Sequence, residues 1–252
     1  MSYAPTQRFE IARVLTRMSG VLARNFPVFG LLALLLSGLP SLVLAVAERG
    51  MLAGLGTEAI GSFGLGWLLT LLINALLQAA LIHGTVSDLN GRPASLGDCL
   101  NTAFRHVLPL IGVSIATTVA VVVGLFLFVV PGVILALALC VSAPVRVVEG
   151  LGVFASLGRS GDLTRNHRGA LLLLFVFYGV GFLVLEALVG AVAMAAMFSL
   201  PGGASRGSEL VVAPLLQTIG ALVGAAGVAS IYFELRTVKE GVGVEALAAA
   251  FD

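Results

Sequence analysis

Apolar residues run in blocks long enough to cross a bilayer, and the few charged positions fall almost entirely between the blocks. No Asp, Glu, Lys or Arg occurs between Arg24 and Glu48, between Glu58 and Asp88, or between Glu209 and Glu234. A hydrocarbon core about 30 Å thick needs roughly 20 apolar helical residues, so each block predicts one membrane-spanning helix. The window from Arg105 to Arg146 is too long for one helix. Pro131-Gly132 stands midway, and proline removes a helical N–H and clashes with the preceding turn, which predicts a hairpin of two spans there. From Arg168 to Arg206 the run contains Glu186 and ends in Pro201-Gly202-Gly203. About thirty helical residues measure about 45 Å at 1.5 Å each, which predicts one long tilted span. The pattern therefore predicts six spans, at about residues 27–47, 62–84, 107–130, 132–148, 169–199 and 210–233.

Composition removes the soluble alternative. Hydrophobic residues make up 59% of the 252 and charged residues 11%, a balance that a water-facing surface cannot accommodate. The formal net charge of +1 gives no global field, so nucleic acid is not an expected partner. Where the charges sit is more informative. With six spans, one side receives Arg8, Arg13, Arg17, Arg24, Arg92, Arg105, Arg146, Arg159, Arg165, Arg168, Arg236 and Lys239, and the other only Arg49 and Arg206. Basic residues concentrate in cytoplasmic loops, so both termini, including a tail over residues 234–252, are expected in the cytoplasm of a bacterial cell, with the chain in its inner membrane. Ala45-Val46-Ala47 has the small-residue spacing of a signal cleavage site, but the basic region before it is too long and the apolar run has full spanning length. Cys99 and Cys140 have no plausible disulfide partner.

The basic connectors share a design. Over residues 1–25, Ile11, Leu15, Met18 and Leu22 fall on one helical arc and Arg13, Arg17 and Arg24 on the other, which predicts an amphipathic helix lying flat at the headgroups. Before the third span Ser95-Leu96-Gly97-Asp98 has capping-box spacing and opens a short helix ending at Arg105-His106. Before the fifth, residues Phe154 to Leu163 lead to Arg165-Asn166-His167. Each segment precedes a pair of spans, and the pairs close on Asp88-Leu89-Asn90-Gly91, Glu149-Gly150 and Glu240-Gly241. The expected fold is thus an all-α integral membrane protein, a single membrane domain of six helices in three hairpins, each preceded by an interfacial amphipathic helix.

Pro131-Gly132, Pro144-Val145 with Glu149-Gly150, Ser156-Leu157 with Arg159-Ser160, Leu163-Thr164-Arg165, and Leu235-Arg236 with Lys239-Glu240-Gly241 occur in that order. In this order and spacing the chain resembles a bacterial six-span family related to the membrane domain fused to some glycerophosphoryl diester phosphodiesterases, and is similar to the stand-alone YciC-like inner-membrane proteins. The resemblance runs from about Phe9 to Gly241. Asn166-His167-Arg168-Gly169 mimics the His-Arg-Gly opening of the phosphodiesterase catalytic domain, but an apolar run follows at once, without the Pro-Glu-Asn segment the resemblance would require. An enzyme is therefore not expected, and neither a cofactor nor a metal is: His83, His106 and His167 lack ligand spacing.

Glu186, deep in the fifth span, is costly to ionise unless paired or neutralised, and Asn74, Gln78 and Gln217 are the amides available in other spans. It reads either as a protonated structural carboxyl or as part of a transport path. Gly220 and Gly224 have the small-xxx-small spacing that lets helices meet closely, within the chain or in a homo-oligomer. Arg13, Arg17, Arg24, Arg105, Arg159, Arg165, His167 and Arg168 are the candidates for gripping anionic lipid headgroups. The expected function is a non-enzymatic, lipid-interacting scaffold or regulatory membrane domain with a possible protein partner. A small permease or lipid-handling transporter with Glu186 in its pathway is the other reading.

Overall fold

The computed structural model describes residues 9–40, 42–43, 59–199 and 204–240. Among them there is no strand, and nine α-helices follow one another, with a π-helical segment Leu34–Gly38 continuing the second: α1 (Ile11–Arg24), α2 (Phe26–Ala33), α3 (Ala59–Leu89), α4 (Leu96–Leu127), α5 (Val129–Leu139), α6 (Ser142–Glu149), α7 (Val153–Thr164), α8 (Arg168–Ser199) and α9 (Ala204–Glu240). Five segments are long and apolar enough to cross a membrane: α3, α4, α5 with α6, α8 and α9. A sixth arises if α1 and Phe26–Gly38 count together, and these are bent by 82°. The bend falls at Asn25, just before Pro27 in the first turn of α2, where a proline costs no helical hydrogen bond. Residues 44–47 of the first expected span, the connector 200–203 and the tail beyond 240 lie outside the described residues.

Several expected boundaries move. The hairpin expected at Pro131-Gly132 turns three residues earlier, at Phe128, whose backbone is extended (φ −162°, ψ 152°). Pro131 instead occupies the first turn of α5, where its missing N–H has no helical partner to lose. The separate interfacial helix expected before the third span does not form: α4 is continuous for 32 residues and carries Pro109 inside it. Ser95 does cap α4, but its side chain makes no capping hydrogen bond despite the box spacing. At the other end of the chain, α9 stays helical through Glu240, so the tail expected from residue 234 begins later. The fourth span divides into α5 and α6 at Cys140 and Val141, and α6 ends on Gly150 in the left-handed region (φ 66°), which glycine adopts without strain. Gly91 (φ 77°) ends the α3 connector in the same way.

Two buried clusters hold these helices together, and α9 and α1 contribute to both. Phe29, Leu32, Leu81, Ile82 and Leu110 gather α2, α3 and α4 around Ala225 and Ala229 of α9, with Val21 of α1. Val141, Val145, Leu163, Leu171 and Leu174 gather α6, α7 and α8 around Ile231 and Leu235 of α9, with Val14 of α1. By contrast, the Arg168–Val192 stretch of α8 is only 6% buried, leaving large side chains such as Phe177 and Leu183 more than 60% exposed. Such a surface is stable only against hydrocarbon.

Gly124 and Gly132 let α4 and α5 touch backbone to backbone. A Cβ on Gly132 would stand 2.6 Å from the Leu125 backbone nitrogen, which cannot move aside. Gly132→Ala is therefore expected to cost about 1–3 kcal/mol, read as a lower thermal midpoint in detergent. Gly179→Ala, which meets nothing within 4 Å, should leave the midpoint unchanged or raise it.

Candidate functional site

The chemistry-bearing residues converge at one end of the helices, where α1 and α7 cross the last turns of α3, α6 and α9. Glu234 of α9 is 0% exposed. Such a carboxylate is stable as an anion only if cations meet it. Arg17 Nη1 donates a hydrogen bond to Glu234 Oε2, and the Arg17 guanidinium also lies 4.9 Å from the centroid of the Phe233 ring. Arg13 Nε is 3.3 Å from Glu234 Oε1, an ionic contact without hydrogen-bond geometry, and Arg13 Nη2 reaches Glu10 at 3.2 Å. Eleven residues after Arg13, Arg24 pairs with Asp88 at the end of α3, its Nε donating at 3.3 Å. Asn25 Nδ2 donates to the same carboxylate at 2.7 Å and to the Val21 carbonyl at 3.1 Å. α1 is thus a strap pinned to α9 near its start and to α3 at its end.

α7 is held by a second set. The break between α5 and α6 frees helical carbonyls, and hydroxyls meet them: Ser160 donates to the Ala138 carbonyl at 2.7 Å, Thr164 at 3.3 Å, and Ser142 to Leu139 at 2.7 Å. Both Ser160 and Thr164 are fully buried. Arg159 sits between two acids, 3.1 Å from Glu149 and also paired with Glu240. Tyr232 donates to Glu149 at 2.9 Å, and Arg236 donates to Tyr232 at 3.2 Å and to Glu240 at 2.8 Å. Burial alone would lower the Arg159 pKa, but its hydrogen bonds to Glu240 and Glu149 raise it, so the guanidinium stays charged. His167 follows α7 with its ring 5.8 Å from Phe9, and partial burial and the Lys239 charge lower its pKa.

This arrangement changes the role of the basic residues. Arg13, Arg17, Arg24 and Arg159 were expected to reach headgroups, yet each is engaged with an acid of its own chain. Arg105 and Arg165 are exposed, and Arg168 is half-buried with its Nε lacking a hydrogen-bond partner. The residues that sequence reasoning missed are Glu234, Tyr232 and the acids Asp88, Glu149 and Glu240. The acid-glycine endings were visible in the sequence, but nothing local pairs Arg24 with an acid 64 positions away.

Within the spans the expected polar residues do not converge. Glu186 is exposed on α8, and no hydrogen bond or ion pair reaches it among the described residues. Asn74 and Gln78 instead line a notch of about 210 Å³ between α3 and α4, opposite Ser114 and Thr118, which Glu186 does not enter. The side chain of Gln217 lies outside the described set. Gly220 and Gly224 face α8: Tyr178 donates to the Gly220 carbonyl at 3.0 Å, and Phe182 would contact a Cβ on Gly220 at 2.9 Å. This glycine face therefore packs within the chain. Beside it runs an almost wholly apolar groove of about 280 Å³ between α8, α9 and α1. His83, Arg92 and Asp98 line a polar cavity of similar volume at the basic end of α3 and α4. Among the described residues no group of three His, Cys, Asp or Glu side chains is placed to hold a metal. No family model, curated protein or solved structure matches the chain.

Removing the charge of Glu234 takes the buried anion from two partly buried arginines, of which Arg13 keeps Glu10. Glu234→Gln is expected to destabilise the protein by about 1.5–3 kcal/mol and to make α1 more accessible to protease, both measurable in detergent. Glu186 has the opposite expectation. An unpaired carboxyl on a lipid-exposed face costs energy, so Glu186→Leu should raise the thermal midpoint in lipid discs, and a fall would mean that the carboxyl has a partner.

Proposed function

We propose that the chain is a non-enzymatic, six-span bacterial inner-membrane protein with both termini in the cytoplasm, and that it serves as a lipid-interacting scaffold or regulatory membrane domain akin to the YciC-like proteins. The observation that carries this reading is a set of three exposed phenylalanines at the basic end, two of them beside an arginine. Phe26 is 66% exposed beside Arg24, whose side chain is 61% exposed; Phe104 is 64% exposed beside Arg105; and Phe154 is 82% exposed at the start of α7, the helix that leads to Arg165. An exposed phenylalanine is costly in water and favourable at the boundary of headgroups and hydrocarbon, where a neighbouring arginine meets lipid phosphate. Each of the three phenylalanines lies in or next to a segment that the sequence places at the interface. The ion-paired arginines act in this reading as clamps that present these phenylalanines, while Arg105 and Arg165 provide the electrostatic contact.

The permease reading has one observation in its favour, the polar notch of Asn74, Gln78, Ser114 and Thr118. Glu186 does not line it, so a path through Glu186 gains no support from that notch.

The reading is tested in discs of zwitterionic lipid with and without anionic lipid. Wild type should be stabilised by the anionic lipid, and less so at high salt. Each arginine near an anionic surface contributes about 1 kcal/mol, so Arg105→Gln combined with Arg165→Gln should remove about 2 kcal/mol of that gain. Equal stability in both lipids would overturn the proposal.

A further inference from the structure

We infer that the groove between α8, α9 and α1 holds one acyl chain of a phospholipid from the leaflet on the basic side. This rests on the lipid-interacting reading but concerns the hydrocarbon rather than the headgroup. Three features of the groove select that occupant.

The first is its walls. Tyr178 and Phe182 of α8 stack on each other with centroids 6.2 Å apart, and Tyr178 bonds to the Gly220 carbonyl, which fixes this aromatic pair against α9 as one wall. Along the groove α9 presents Gly224 and Gly227, which have no side chains to fill the space. A Cβ on Gly224 would meet only the Tyr178 hydroxyl, at 3.6 Å, and one on Gly181 would meet nothing within 4 Å. The lining offers almost no hydrogen-bonding group, so a polar or charged ligand would be desolvated without compensation.

The second is length. The groove runs along α8 from Leu174 to Leu185, about 17 Å at 1.5 Å per residue, and half of a hydrocarbon core about 30 Å thick is about 15 Å. It therefore spans one leaflet. About 280 Å³ spread along that length accommodates a single chain but not a helix 10–12 Å across.

The third is its end. Val14, Leu15 and Met18 of α1 form the wall at the basic end, so the strap that Glu234 pins in place also closes the groove at headgroup depth. Met18 Sδ would stand 3.4 Å from a Cβ on Gly227, which shows how closely the strap seats against α9. The groove is partly open rather than enclosed, so a chain can enter it sideways from the bilayer while its ester end stays beside the strap.

The test is native mass spectrometry of protein purified in mild detergent, at activation energies that strip loosely held lipid. Wild type should retain one phospholipid per chain. Gly224→Leu and Gly181→Leu fill the groove from opposite walls and should each reduce the retained fraction at least tenfold, so that failure of one variant to fold does not remove the test. Gly190→Leu, on the exposed part of α8 away from the groove, should retain the lipid. Retention undiminished in both filled variants, or wild type recovered without phospholipid and unchanged in thermal midpoint when phospholipid is added back, would overturn the assignment. So would a dimer that either filling substitution dissociates, since the occupant would then be a second copy. The doubly substituted Arg105→Gln, Arg165→Gln protein should still retain the lipid, so the failure of headgroup recognition and the failure of the groove are read separately.

Discussion

A carboxylate withdrawn from water must be met by cations, and Glu234 is met by a helix that would otherwise have little reason to sit where it does. Once Arg13 and Arg17 reach Glu234, α1 lies across the end of the bundle rather than continuing into α2, and the 82° bend at Asn25 follows. That crossing brings Arg24 to Asp88, so the same helix joins the last turn of α3 to that of α9. Ion pairs at an exposed surface are worth little, but these are partly shielded by Phe233 and by the buried residues Val14 and Val21. Their net worth against an all-apolar end is small or negative, whereas losing one partner is costly. The clamp therefore specifies an arrangement more than it adds stability.

The α7 connector reaches the same helix by different chemistry. The chain breaks after α5, and an open helical carbonyl near the bilayer boundary needs a donor. Ser160 and Thr164 supply two for Ala138, which places Arg159 between Glu149 and Glu240. Gly150, in a conformation closed to most residues, turns the chain so that Glu149 and α7 can face each other. The last turns of α9 thus receive α1 at Glu234 and α7 at Tyr232, Arg236 and Glu240. Two connectors far apart in sequence are ordered by one helix end.

The helices were largely legible in the sequence because charge-free length is a local property. α8 begins at Arg168 and ends at Ser199, close to the expected limits. The errors arose where tertiary contacts outweigh local signals. Pro131 marked a turn correctly to within a few residues but sits after the break, since a first-turn proline is as favourable as a terminating one. Arg105-His106 looked like a helix end, yet α4 runs on through both, since neither residue by itself stops a helix. The arginines were the hardest to place. At an interface a guanidinium serves phosphate and carboxylate equally well, and only the three-dimensional position of Asp88, Glu149, Glu234 and Glu240 decides which it meets. The candidate site was therefore visible as residue types and hidden as pairings.

Hydrocarbon provides no hydrophobic drive between helices, so what fixes α8 must be specific. Little of it is buried, and its described contacts are few: Leu171 and Leu174 in the lower cluster, the Tyr178 bond to Gly220, and the Phe182 ring over that same glycine. Beside these contacts the apolar groove runs from Leu174 to Leu185, over Gly181 of α8 and Gly224 and Gly227 of α9. A helix pair closed by side chains would need no third component, whereas this pair leaves a gap one chain wide facing a solvent made of such chains. The glycines that bring α9 close to the α8 aromatics at one level thus also open the space beside it. Close contact and groove are two consequences of one residue pattern, and the α1 strap, held by charge, sets where the groove stops.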